Sequence, residues 1–309
     1  MIKDFITLEQ FNTDQLSNLI ERTIADKKLY LSGKGPAPLT RQTLAMIFEK
    51  PSLRTRVSFE VAMTQLGGAA TYLDQTSIGL GTRESSSDTA RVLAKMCNGI
   101  MARTFSHEMV EDLAKYSDVP VVNGLTDYSH PCQAMADMVT IREHYGELKG
   151  KTLTFIGDGN NVARSLATAC AKLGMRFILS CPHDYQLEEK FFEDLLDKHP
   201  KADCIVLHEP GLAVKEADII YTDTWVSMGQ EDEKSKRLHI FRNYQVNTQL
   251  LALAPKHAIT LHCLPAYRDY EITDEAFDAN AVHIFNEAEN RLHFQRTLLN
   301  VLMGEGGIE

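Results

Sequence analysis

Along most of the chain a short apolar run, a polar turn and a helical spacing of apolar positions follow one another in that order. Residues 43–48, Thr-Leu-Ala-Met-Ile-Phe, read as a strand apolar on both faces, ended by the turn Glu49-Lys50-Pro51-Ser52. Phe59, Ala62, Met63 and Leu66 then recur at i, i+3, i+4 and i+7, one face of a helix that Gly67-Gly68 stops. Ala90, Leu93, Ala94 and Cys97 mark another helix face closed by Gly99, and Ile100-Met101-Ala102 starts a strand. A further strand is predicted over 119–122 and a helix from about Pro131 to Tyr145. The polar, glycine-flanked segment 146–151 is the best boundary, because the rhythm restarts after it. Strands are predicted over 152–156, 177–181, 204–207, 218–222 and 259–264, with helices over 162–173 and about 187–199. A final helix carries Phe294, Leu298, Val301 and Leu302 at i, i+4, i+7 and i+8.

Strands alternating with helices predict parallel sheets covered on both faces. The expected class is α/β: two doubly wound parallel-sheet domains, with a C-terminal helix returning to the first. The expected spans are 1–147, 148–288 and, for that helix, 289–309. In such sheets ligands gather at the carboxyl ends of strands.

Composition narrows the partners. With 309 residues, 44% hydrophobic and 24% charged, the chain suits a globular protein of two domains. A net charge of −10 argues against nucleic acid or an anionic membrane surface as partner. A small anionic substrate stays open, since a local arginine cluster can outweigh the global sign. The six cysteines are scattered with no C-x-x-C pair, which predicts no disulfide framework and a reducing compartment. The first residues lack a signal-peptide apolar run and no stretch is long enough to span a bilayer, so a cytoplasmic location is expected.

The strongest chemical signal is Phe48 to Arg56, between a strand and a helix start. Unpaired N–H groups and the dipole of a helix N-terminus favour an anion. Ser52 and Thr55 add hydroxyls there, and Arg54 and Arg56 add charge suited to phosphate oxygens. Ser52 as a plain N-cap beside solvated arginines is the competing reading. This is not a Walker-type loop, because G-x-x-x-x-G-K-[ST] is absent. Arg103 follows a second strand, and His130-Pro131-Cys132-Gln133 opens a second helix. Singly such residues are often structural. Three strand-to-helix junctions presenting cationic or amide donors together favour an anion pocket with a carbonyl to polarise.

These residues resemble the aspartate/ornithine carbamoyltransferase family, whose F-x-x-x-S-x-R-T-R motif stands here as Phe48 to Arg56. The resemblance runs along essentially the whole chain. It implies a carbamoyl phosphate-binding first domain and an amino-acid-binding second one. It implies that carbamoyl phosphate is held by Ser52, Leu53, Arg54, Thr55, Arg103, His130, Pro131, Cys132, Gln133, Cys263, Leu264 and Arg291. Arg103, His130 and Cys263 would act on the reacting groups. There are two departures: Leu53 replaces the usual threonine, and Gly79 stands where relatives carry Gln or His reaching a neighbouring subunit. The family also implies a homotrimer or a multiple of it.

In the second domain, Gly157-Asp158-Gly159 after a strand invites a dinucleotide reading, which would make the chain an NAD-dependent oxidoreductase. It matches only G-x-G, and the strand ending near Ser180-Cys181 lacks the acidic residue that would hold a ribose hydroxyl. Asn161 at the helix start can bind a carboxylate instead, and Asp223 in Asp-Thr-Trp-Val-Ser-Met-Gly suits an α-ammonium group, with a turn aspartate as the plain alternative. That segment and His262-Cys263-Leu264-Pro265 resemble the ornithine branch, implying that Asn161, Asp223, Ser227 and Met228 hold ornithine. A sister transcarbamylase for putrescine or an acylated ornithine stays open, as does a silent regulatory module. No cofactor is expected. Nor is a metal: His107-Glu108 begins like H-E-x-x-H, but Glu111 stands at the fifth position.

Overall fold

The computed structural model describes residues 1–75, 79, 84–226, 231–305 and 307–308. Two compact units are present: Met1–Val139 with Asn290–Glu309, and Thr140–Glu289.

The first unit runs α1 (Thr13–Leu31), β1 (Thr43–Phe48), α2 (Leu53–Gln65), β2 (Ala69–Asp74), α3 (Ser86–Met96), β3 (Gly99–Arg103), α4 (His107–Tyr116), β4 (Val121–Leu125) and the start of α5 (Pro131–Tyr145). Its strands are all parallel in the order β2-β1-β3-β4. Ala45, Ile47, Ile100 and Ala102 put one sheet face against Ala90 of α3 and Val110 and Leu113 of α4. β4 runs on through Asn123-Gly124, a pair that alone reads as a turn. Asn123 is tolerated in the buried strand because its Nδ2 donates to the Ile6 carbonyl at 2.9 Å. A Cβ at Gly124 would lie 2.5 Å from Met101 Sδ, so any larger residue there would force the Met101 side chain to move.

The second unit runs β5 (Thr152–Ile156), α6 (Asn161–Leu173), β6 (Arg176–Ser180), α7 (Glu189–Lys198), β7 (Asp203–Val206), α8 (Pro210–Ala213), β8 (Ile219–Thr222), α9 (Lys234–Phe241), α10 (Thr248–Leu251), β9 (Ile259–His262) and α11 (Asp274–Leu299). Its parallel order is β7-β6-β5-β8-β9. The end of α11 belongs to the first unit. There Phe294 lies 5.7 Å from the Phe5 ring, Arg296 lies over Tyr30 and Thr297 donates to Asp26. The two-sheet α/β class and the returning helix are as expected. The helix itself starts far earlier, at Asp274, and Val301 and Leu302 fall in a wider π turn after it. Among the described residues no helix is long and apolar enough to cross a membrane.

Candidate functional site

In the first unit the chain reverses its direction across the sheet between β1 and β3, which opens a crevice at their carboxyl ends. Ser52 caps α2 there, its Oγ accepting the Thr55 N–H at 3.2 Å and donating to Thr55 Oγ1 at 3.1 Å. Arg103, ending β3, donates Nη1 to the same Thr55 oxygen at 3.1 Å. With both lone pairs engaged, the Thr55 hydroxyl can act outward only as a donor. Behind the cap, Glu49 accepts the Phe105 N–H at 2.7 Å and Lys50 lies 3.8 Å over the Phe105 ring.

The start of α5 brings the second set. Arg291 donates Nη1 to Gln133 Oε1 at 2.5 Å and faces His130 Nε2 at 3.4 Å. Gln133 Nε2 in turn donates to Asp137 at 2.7 Å. Because Nε2 of His130 accepts from a guanidinium, the imidazole is neutral with its proton on Nδ1. Burial, then Arg291, Arg103 and Arg54, hold it well below its ordinary value of 6.5. A neutral imidazole among three guanidiniums makes a pocket of positive potential at two helix starts.

Other expected residues fall differently. Leu53 is 73% exposed. Arg56 turns onto its own helix, pairing with Glu60 at 3.0 Å and covering the Tyr72 ring. The Cys132 thiol is buried against the Asn123 carbonyl and pushed up to about 12 by that burial, so only the Cys132 backbone and that of Pro131, which opens α5, face α5's start. Gly79 adopts φ +61. Ser77, Ile78, Leu80 and Gly81, and the ornithine candidates Ser227 and Met228, lie outside the described residues.

The second unit's crevice lies between β5 and β8, where its order reverses. Asn160, not Asn161, caps α6: its Oδ1 accepts the Val162 and Ala163 N–H groups at 2.9 and 3.0 Å. Asn161 is the next residue, opening the helix. Asp223, after β8, is buried. Its Oδ2 accepts from Asn160 Nδ2 at 2.9 Å, and its Oδ1 accepts from the Thr224 N–H at 2.8 Å and Cys263 Sγ at 3.1 Å. Beneath Cys263, fully buried His262 accepts the Leu264 N–H on Nδ1 at 2.9 Å and donates Nε2 to Glu271 at 3.1 Å. Its backbone N–H is held by Glu287 at 2.9 Å, which also accepts from Tyr221. This scaffold presents Leu264 at φ +60, ahead of a cis Leu264–Pro265 bond. Asp158 pairs with Arg237 at 2.8 Å, which also bonds the Trp225 carbonyl. Burial raises the Asp158 carboxyl, and Arg237 opposes that.

Asn160, His262, Glu271 and Glu287 were not among the site residues read from sequence. An Asn-Asn pair at a helix start marks a cap without saying which member takes it. Partners of His262 that stand nine and 25 residues along the chain meet it only through burial, which leaves no local signal.

The dinucleotide reading fails on geometry. Gly159 donates to the Tyr185 carbonyl at 2.7 Å, and a Cβ there would lie 2.6 Å from the Leu187 nitrogen. The 185–187 segment fills the space a pyrophosphate would need. Asp223, His262 and Cys263 bring three ligand-type atoms within 4.8 Å of one another, the one such group among the described residues. Both His262 nitrogens are already bonded, which disfavours it as a ligand.

Residues 3–143 match the carbamoyl-P binding domain of aspartate/ornithine carbamoyltransferase, and residues 149–302 its Asp/Orn binding domain. An ornithine carbamoyltransferase of Anoxybacillus flavithermus is 45% identical over 303 residues, 97% of this chain and 96% of that protein. One of Methanopyrus kandleri is 47% identical over 281 residues, 90% of each. The solved ornithine carbamoyltransferase of Pyrococcus furiosus superposes with a TM-score of 0.93 at 45% identity, covering 99% of this chain and 98% of that one. The chain belongs to the aspartate/ornithine carbamoyltransferase family, among its ornithine carbamoyltransferases.

Proposed function

We propose that the chain transfers the carbamoyl group of carbamoyl phosphate to the side-chain amine of L-ornithine, giving L-citrulline and phosphate. The observation that carries this is the pocket of three guanidiniums around a neutral His130. It suits a dianionic phosphate joined to a neutral carbonyl. Ser52, Arg54 and the α2 and α5 helix starts, with the backbone of Leu53, Pro131 and Cys132, hold the phosphate. Thr55, Arg103 and His130 stabilise the carbonyl oxygen as it gains charge; single donors of this kind are worth roughly 2.7–4 kcal/mol. Gln133 and Arg291 brace His130.

Asp223 receives the α-ammonium of ornithine and Asn161 its carboxylate, and Ser227 and Met228 are the further residues assigned to ornithine. Cys263 and the Leu264 carbonyl lie toward the reacting amine. That amine, with an ordinary pKa of about 10.4, must lose a proton to attack. Desolvation beside fixed positive charge lowers its pKa and supplies the nucleophile. Attack on the carbamoyl carbon expels phosphate, whose charge is already matched.

A homotrimer fits the apolar Leu53 and Val57 left exposed on α2. Six cysteines without a disulfide favour a reducing, cytoplasmic setting. Citrulline formation from carbamoyl phosphate and an amine panel tests the reading. Ornithine should be the preferred acceptor. A preference for putrescine, which lacks the carboxylate, or for an acylated ornithine would overturn it.

A further inference from the structure

Asn160 meets two demands with one amide. Its oxygen is taken by the Val162 and Ala163 N–H groups of the α6 start. Those two donors fix which way the amide faces, since its NH2 cannot accept them. Nδ2 is thereby aimed at Asp223 Oδ2, at 2.9 Å. With the Thr224 N–H and the Cys263 thiol on Oδ1, the donor from Asn160 completes a cradle that fixes both carboxylate oxygens.

We infer that Asn160 is a positioning residue for the acceptor substrate: the helix cap sets its amide, and the amide holds Asp223 as an oriented acceptor for the ornithine ammonium. This rests on the ornithine reading given above. A cap alone needs only an oxygen, so Asp or Ser would serve it equally well. Positioning needs the NH2 donor, which neither offers.

The experiment compares wild type, Asn160→Asp and Asn160→Ser for citrulline formation, melting temperature and the KM of each substrate across pH. Both variants keep an N-cap, so the melting temperature of Asn160→Ser should move little, whereas Asn160→Asp sets a second carboxylate against Asp223 and should melt lower at neutral pH. The ornithine KM should rise roughly tenfold or more, the loss expected for a hydrogen bond to a charged group, while the carbamoyl phosphate KM stays within about twofold. The Asn160→Asp variant carries a further signature. Two facing carboxylates hold a shared proton more tightly than either alone. As pH falls, that proton bridges the introduced carboxylate and Asp223 and restores a donor, so the variant-to-wild-type ratio of ornithine KM should fall. The other charged groups at this junction, Asp158, Arg237 and Glu233, pair among themselves in the wild type and are left in place by both substitutions. The Asn160→Ser variant should show no such recovery. If Asn160→Asp does not fold, Asn160→Ser alone decides on its KM split. Unchanged ornithine KM in a variant, or equal rises for both substrates, overturns the inference. A wild-type enzyme inactive on ornithine overturns the functional reading and the inference with it, so the two failures are told apart by the wild-type measurement.

Discussion

Buried at the end of β3, Arg103 gives one N–H to Thr55 and lends its charge to the field that keeps His130 neutral. Arg103→Ala should lower kcat by roughly 100- to 1000-fold, the range for loss of one oxyanion donor, and raise the carbamoyl phosphate KM. The ornithine KM should move far less. Near-wild-type kinetics would remove Arg103 from the site. At this scale the sequence exposed the groups that sit on strand ends and helix starts, because Ser52, Arg103 and His130 each carry a local signature. Arg56 looked equivalent to Arg54 and is not: an i, i+4 glutamate draws it to the outer face of α2. Glu271 stayed hidden because burial beside His262, not spacing, gives it meaning.

Between β5 and α6 the loop is a packing junction. The segment 185–187 crosses directly over Gly159, so Gly159→Ala forces backbone apart, with little scope for a flexible side chain to yield. Overpacking of this kind costs about 1–3 kcal/mol. The melting temperature of that variant should therefore fall by several degrees. An unchanged value would mean that the 185–187 segment moves aside freely. Most elements were legible from apolar rhythm, and α5 and β5 run over the predicted residues. Six were missed: α1, whose Leu16, Leu19, Ile20 and Ile24 are spaced as one helix face; α4, read only for a failed metal motif; β2, an edge strand of partly exposed residues; and α8, α9 and α10, of only four to eight residues. Edge strands lack the apolar run that marks a buried one.

For the molecule as a whole, stability should depend on pH through His130. Its folded value lies below the ordinary 6.5, so the unfolded chain binds more protons between the two. The stabilising contribution is full above about pH 6.5 and is lost as pH falls from there, at up to about 1.4 kcal/mol per pH unit. Compared with His130→Gln by denaturant unfolding, wild type should lose ground steadily below pH 6.5. Parallel curves would place the titration elsewhere. The two-domain plan was legible in the restart after 146–151, whereas the division within α5 was not, because a continuous helical pattern hides a change of partner. That passage of α11 back into the first unit has a consequence in time. Arg291 is 161 residues downstream of His130, and the whole second unit is synthesised between them. At roughly 5–20 residues per second, the ribosome takes on the order of ten to thirty seconds to cover that distance. Through that interval the nascent first unit carries His130 and Gln133 without their guanidinium, and the contact that braces them arrives only with the last long helix to be made.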